Sequence, residues 1–289
     1  LVSRRRLFYM GNRVFYACHA VGINGGFVTG AQSVGVTTTF DLEPVFQLGQ
    51  LTQIDTITLA PQAELTLTRA IVGGTYYQGT YEEMFTGDEN RLQLSVGDDA
   101  APLLVAPSSN IECTGAGLSG VTFNFPVDGV FTEELTYLAR GKRLSGSVSA
   151  TKIQDAGVPT RQFFVGGAPG LVTSAGNLTN VTISCSPGRT MMYKLGRYDA
   201  FHSYVNNPGE VNVEFEVSAT GTDGVDIPSV AACESPSFGG QDISLSLCGS
   251  TFAMEKCRLS NVAYGGGDTG GGNATITFTY TTYNSLTVG

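Results

Sequence analysis

The chain has no tryptophan, two histidines, and six cysteines scattered over 289 residues. Each shortage removes a class of chemistry. With only His19 and His202, and no Gly-x-Ser-x-Gly elbow, no general base stands beside a nucleophile. The cysteines (Cys18, Cys113, Cys185, Cys233, Cys248, Cys257) include no Cys-x-x-Cys pair, and the interval from Cys248 to Cys257 is not a zinc spacing. They are also too sparse for a disulfide scaffold. They read as small buried apolar residues of a cytosolically folded protein. No catalytic residue, metal ligand or cofactor site is assigned, and the expectation is a protein that is not an enzyme.

Charge is scarce too. Only 14% of residues are charged and the net charge is −9, with 9 basic and 14 acidic residues up to Ala150 and 7 and 11 beyond it. Evenly spread acidity does not grip phosphate backbones, which argues against sequence-specific nucleic-acid binding. No apolar run reaches the roughly 18 residues of a membrane-spanning helix. The opening Leu1–Asn12 lacks the apolar core of a signal peptide, and Phe15 stands where a myristoylation pattern after Gly11 needs Ser or Thr. Long helical periodicity is missing, whereas glycine is abundant at 38 residues. The composition is that of an all-β globular protein, with minor α content and many turns.

Within this frame a repeat emerges. Gln32–Thr68 opens on alternating Val34 and Val36, reaches Phe46-Gln47-Leu48-Gly49, passes Pro61, and closes on Ala63, Leu65 and Leu67. Asn180–Val217 does the same with Val181 and Ile183, Tyr193-Lys194-Leu195-Gly196, Pro208, and Val211, Val213, Phe215 and Val217. The glycines and prolines share one offset, and a one-residue shift aligns the closing strands. Leu118-Ser119-x-Val121 and Leu259-Ser260-x-Val262 then precede loops carrying Asp128-Gly129 and Asp268-Thr269-Gly270. Two tandem β domains are expected: an arm over 1–12, a first domain over 13–157, a Pro/Gly-rich linker over 158–177 and a second domain over 178–289. Asp41 is placed as the N-cap of a short helix Leu42–Leu48, with Gly49 as its stop. Tyr81–Phe85 suits a helical turn, Arg91–Val96 a strand or a helix end, Leu103–Val105 a short strand, and Cys113–Leu138 a hairpin.

Bare motif matches fail on context. Gly265-x-Gly267-x-x-Gly270 is followed by an alternating strand, not by the helix N-terminus that a dinucleotide requires. Asp268-Thr269-Gly270 has no second triplet to share a proton with. The carboxylate pairs Glu82-Glu83, Asp98-Asp99 and Glu133-Glu134 would point to opposite faces of a strand, and read as solvated loops or edges. Tyr76, Tyr77 and Tyr81, clustered beside glycines, suit either an interface loop or a small core beneath it. The terminal arm, with Arg4, Arg5, Arg6 and Phe8, suits either a flexible basic tail or an apolar-tipped arm packed on a neighbour.

Asn12–Cys18, Gln32–Val36 followed by Phe46–Leu51, Asn124–Glu134, Leu195–Ala200 and Ser260–Thr275, taken in this order, resemble phage tail tube proteins of long-tailed phages. The resemblance implies β-sandwich domains whose inner sheets join into a barrel around a DNA-wide lumen, in rings that stack into a tube. It implies partners in other copies of the chain and in other tail proteins, transit of double-stranded DNA without specific binding, no membrane, and a virion location after assembly in the host cytoplasm. Arg4, Arg5, Arg6, Phe8, Tyr76, Tyr77, Tyr81 and Asp268 become the expected assembly contacts. Single-domain tube subunits form sixfold rings, so a duplicated chain implies trimeric rings with pseudo-sixfold symmetry; six chains in two layers is the competing arrangement. A hub, distal or tail-completion protein using the same domain is an alternative. So is a two-domain β-sandwich adhesin or carbohydrate-binding module, for which the Asn-x-Thr sites at Asn177, Asn180 and Asn273 speak.

Overall fold

The computed structural model describes residues 19–72, 74, 77–86, 89–96, 109–144, 148, 164–219, 240–247, 249–266 and 274–289. Its first run of elements is β1 (His19–Ile23), β2 (Gly26–Phe27), β3 (Ala31–Thr39), β4 (Leu42–Val45), β5 (Asp55–Thr58) and β6 (Gln62–Ala70). Then come β7 (Gly79–Thr80), α1 (Tyr81–Thr86), β8 (Asn90–Val96), β9 (Ser109–Pro126) and β10 (Thr132–Arg143). The second run is β11 (Phe164–Gly166), α2 (Gly170–Ala175), β12 (Gly176–Cys185), β13 (Arg189–Met192), β14 (His202–Val205) and β15 (Val211–Ala219). It ends with β16 (Gln241–Leu247), β17 (Ser250–Gly265), β18 (Thr275–Thr282) and β19 (Thr287–Val288). The fold is all-β with two short helices, as the composition implies.

One antiparallel sheet carries the architecture, in the order β3-β6-β10-β9-β12-β15-β18-β17. Its alternation follows the sequence: Leu65, Leu67, Leu135, Tyr137, Phe123, Ile183, Phe215 and Phe278 point inward and are fully buried. The intervening threonines, serines, asparagines and glutamates point outward. β9 and β17 are long enough to change partners midway: the first part of β9 pairs with β8 in place of β12 while staying on β10, and the first part of β17 pairs with β16 in place of β18. Gly115 and Lys256, both at positive φ, sit where the two strands turn. The turn brings Phe252 edge-on to Phe123 and Phe125 at 5.0 and 5.5 Å. A single apolar cluster runs through both halves without a break.

The two runs correspond residue by residue in their hydrogen-bond register. Val34 pairs with Leu67 as Val181 pairs with Phe215, and each ladder skips one residue just before, Gln32 and Thr179. Leu135 pairs with Val121 as Phe278 pairs with Val262, and the bulges fall at Ser119 and Ser260. Each bulge serine donates its hydroxyl across the ladder, to the Thr136 and Thr279 carbonyls at 3.1 and 3.0 Å.

Two expectations need correction, the helix at Leu42–Leu48 and the solvation of Glu133. Leu42–Leu48 is not a helix: β4 pairs with β5 in a hairpin. A seven-residue helix containing Pro44 has little intrinsic stability, whereas β4, paired on one side only, tolerates a proline and Asp55–Thr58 offers β-branched partners. Within 158–177 the described residues carry β11 and α2, and β12 begins at Gly176. Glu133 is not solvated. It is fully buried and paired with Arg69, Nε to Oε2 2.8 Å, while the neighbouring Glu134 faces out. The Tyr81–Phe85 turn and the Arg91–Val96 strand are present; Leu103–Val105 lies outside the described residues.

Candidate functional site: an assembly surface

The features left unsatisfied in one copy are the two ends of the eight-strand sheet, its polar face, and a projecting hairpin. Among the described residues β3 pairs only with β6, and the Val262–Gly265 part of β17 pairs only with β18. The relation between these edges is visible at the centre of the sheet. There β9 and β12, the counterparts of β17 and β3, pair with one another from Asn180↔Pro126 to Cys185↔Val121. Residues buried at that internal junction have less buried counterparts at the edges: Val34, Val36 and Val262 are half-buried and Tyr264 is exposed. Phe123 is 0% exposed, and its counterpart Tyr264 is 59% exposed. A row of unpaired backbone groups beside such side chains is a template for another strand.

The outward face is almost wholly polar. Thr66, Thr68, Thr136, Thr122, Asn124, Thr182, Ser184, Asn212, Thr277 and Thr279 line its central strands, with Glu64, Glu134, Glu214 and Glu216 as its carboxylates. Across the β9–β12 junction the Thr182 hydroxyl donates to Asn124 Oδ1 at 3.2 Å. The face therefore joins smoothly where two units meet, and its formal charge is mainly negative.

The hairpins at 41–59 and 188–206 repeat bond for bond. Ile54 donates to the Val45 carbonyl and Phe201 to that of Met192, at 2.8 and 2.9 Å. Leu59 donates to Asp41 and Asn206 to Gly188, at 2.8 and 3.3 Å. Gly49 and Gly196 take φ of +88° and +85° at the two tips, a conformation that favours glycine. Both expose apolar side chains, Leu42, Phe46, Leu48, Leu51, Ile54 and Ile57 on the first and Met192, Tyr193, Leu195, Tyr198 and Tyr204 on the second. Their surroundings differ. The second lies against the first run: the Arg189 guanidinium donates to the Leu118 carbonyl at 2.8 Å and to that of Phe85. Arg140 donates to the Phe201 carbonyl at 2.6 Å, Ser203 to Glu89 at 3.2 Å, and Glu89 also pairs with Arg140. Burial lowers the Arg189 pKa, and the nearby Glu89 works against that shift.

Of the expected contacts, Arg4, Arg5, Arg6, Phe8, Tyr76 and Asp268 lie outside the described residues. Tyr77 and Tyr81 are packed, not free. Tyr137 donates its hydroxyl to that of Tyr77 at 3.0 Å, and the Tyr77 amide donates to Glu133 at 3.3 Å. Burial raises the Tyr77 pKa. Tyr81 stacks near Phe85 at 5.1 Å, donates to Asn207 at 3.3 Å, and has its pKa pushed up to about 12, chiefly by burial. Sequence reasoning missed the apolar hairpin and the edges. The signal available for the hairpin was that its apolar residues follow no single helical face. Among the described residues no group of His, Cys, Asp or Glu is arranged to hold a metal.

The chain matches no protein-family model and no curated protein. Among solved structures it is similar to Hcp1 from Flavobacterium johnsoniae, at 14% identity and a TM-score of 0.30, over 45% of this chain and 96% of that one. A likeness of that size carries no weight for function.

Proposed function

We propose that the chain is a structural, non-enzymatic subunit of a bacteriophage tail tube. In this proposal copies join edge to edge, β17 of one to β3 of the next, and three copies close a ring of six repeated units. The observation that supports it most is the internal β9–β12 junction: the chain already contains one copy of the contact that the ring would repeat. Applying the same register between copies sets Val36 opposite Tyr264 and Thr38 opposite Val262. Closure would leave no open edge, which is how barrels avoid indiscriminate pairing.

Eight strands per chain span roughly 38 Å at ~4.8 Å per strand. Three chains then enclose a barrel roughly 37 Å across, widening to roughly 50 Å at a strand tilt near 40°. The polar, mainly negative face would line it. Such a lining repels DNA and lets it slide. Two domains meeting at β9–β12, stacking of the rings into a conduit, other tail proteins at its ends, and a virion location belong to the same proposal, as does assembly in the host cytoplasm.

Purified chain imaged end-on decides it. The expected particle is a threefold ring of six lobes and about 91 kDa per layer, from chains of 30.4 kDa. Six chains per closed ring, or a monodisperse single chain at all concentrations, would overturn it.

A further inference from the structure

The exposed β4–β5 hairpin has a seat that the repeat identifies. On the first unit the corresponding place is filled from within the chain. Hairpin β13–β14 lies along β9, with the Gly188 amide on the Ser119 carbonyl at 3.2 Å and Arg189 over Gly117. A Cβ at Gly117 would overlap the guanidinium of Arg189, so no larger residue fits there while an arginine occupies the hairpin. On the second unit the counterpart is an open cleft lined by Lys256, Arg258, Ser260 and Tyr283, with Glu210 and Glu214 among its other lining residues.

The residues on the two sides have changed together. Gly117 corresponds to Arg258 and Arg189 corresponds to Leu42, by the offsets that the β9–β17 and hairpin registers define. The first seat is a glycine under an arginine from the hairpin. The second seat carries its own arginine, and the hairpin left without a seat presents Leu42, 63% exposed. Two arginines at this contact would clash and repel. A leucine against the aliphatic stem of Arg258 does neither. The cleft's own charges balance, Lys256 and Arg258 against Glu210 and Glu214, so net charge does not select the occupant and the contact rests on Leu42 against Arg258.

We infer that the β4–β5 hairpin of one copy docks in the Lys256–Arg258 cleft of a second copy of this chain, with Leu42 on Arg258 and the Asp41 amide on the Ser260 carbonyl. The inference rests on the edge-paired ring proposed above and adds the contact that flanks its edge. It covers Leu42, one of the apolar side chains that a single copy leaves in water.

The test is a charge-and-volume exchange in the full chain. Leu42→Arg should raise the half-assembly concentration about tenfold or more, since facing like charges are costly at an interface. Thermal unfolding of the unassembled chain should not move, because Leu42 is exposed there. Leu42→Arg combined with Arg258→Gly recreates the Arg189–Gly117 pairing and should bring assembly back to within a few-fold of the parent. Undisturbed assembly of Leu42→Arg, or no recovery in the double variant, overturns the docking while leaving an assembling parent's ring intact. A parent that stays a single chain removes the ring first, and this contact with it.

Discussion

Tyr264→Ala separates an edge that awaits a partner from a core position. Tyr264 is 59% exposed, so of the roughly 200 Å² a tyrosine can bury about 120 Å² is open to water. Covering that area opposite Val36 is worth about 3 kcal/mol at ~25 cal/mol/Å². Truncation to alanine should therefore weaken assembly by about 30- to 100-fold, read as a shift in the half-assembly concentration by sedimentation or mass photometry. The isolated chain should lose no more than about 2 kcal/mol, from the roughly 80 Å² of the side chain already covered. Phe123→Ala supplies the contrast. Phe123 occupies the counterpart position opposite Ile183, both fully buried, and its truncation should cost about 3–5 kcal/mol of unfolding free energy. An assembly midpoint that moves less than about threefold on Tyr264→Ala, in a chain that does assemble, would refute the register argument.

Breaking the buried Arg69–Glu133 pair with Glu133→Ala should destabilise the chain by about 3–5 kcal/mol in urea, since the buried Arg69 guanidinium loses its counter-charge. Glu134→Ala, one residue on and facing out, should stay within about 0.5 kcal/mol; equal effects would show that the pair is misplaced. The Cys185 thiol, pushed by burial from 9.0 to about 12, should resist alkylation in the native chain and react on unfolding. Its proton is lost from the unfolded chain first, so native stability should fall as pH rises from about 9 towards 12, with a shallower slope in Cys185→Ala. At the start of α1, Thr80 and Glu83 cap one another, the Thr80 amide on Glu83 at 2.7 Å and the Glu83 amide on the Thr80 hydroxyl at 3.3 Å. Glu83→Ala should cost about 1 kcal/mol by thermal melt, and no loss would count against the cap.

Strand alternation made most of the large sheet legible in advance, because a residue's face in a half-buried strand is set by parity alone. Val34/Val36 against Val181/Ile183, and Leu118-Ser119 against Leu259-Ser260, also carried the repeat, down to the bulges. What failed had a different cause in each place. Asp41–Gly49 has helix-like caps, and only tertiary context, the partner strand Asp55–Thr58, makes it a hairpin. Glu133 looks like surface charge until Arg69 is found directly across the ladder from it. Tyr77 beside glycines looks like a loop ring until Tyr137 and Glu133 are brought beneath it by the fold. Strand order is a long-range property, so which edges stay open could not be read from local pattern at all.

The places where the two copies of the unit differ are as informative as those where they agree. An internal junction is covered as soon as the chain folds and can be as apolar as a core. An edge that must stay in water until a partner arrives cannot. The substitutions follow that rule. Phe125 and Phe123 at the internal junction become Gly266 and Tyr264 at the open edge, and Ile183 and Cys185 become Val36 and Thr38. Interior hydrophobes give way to smaller or more polar residues while backbone register is kept. In six identical units every junction would have to be soluble before assembly, and no unit could hold both kinds. In a duplicated chain half the junctions form during folding, so only the other half carry the compromise. The divergence between β9 and β17 is what the proposed ring of three two-unit chains would require of its open edge.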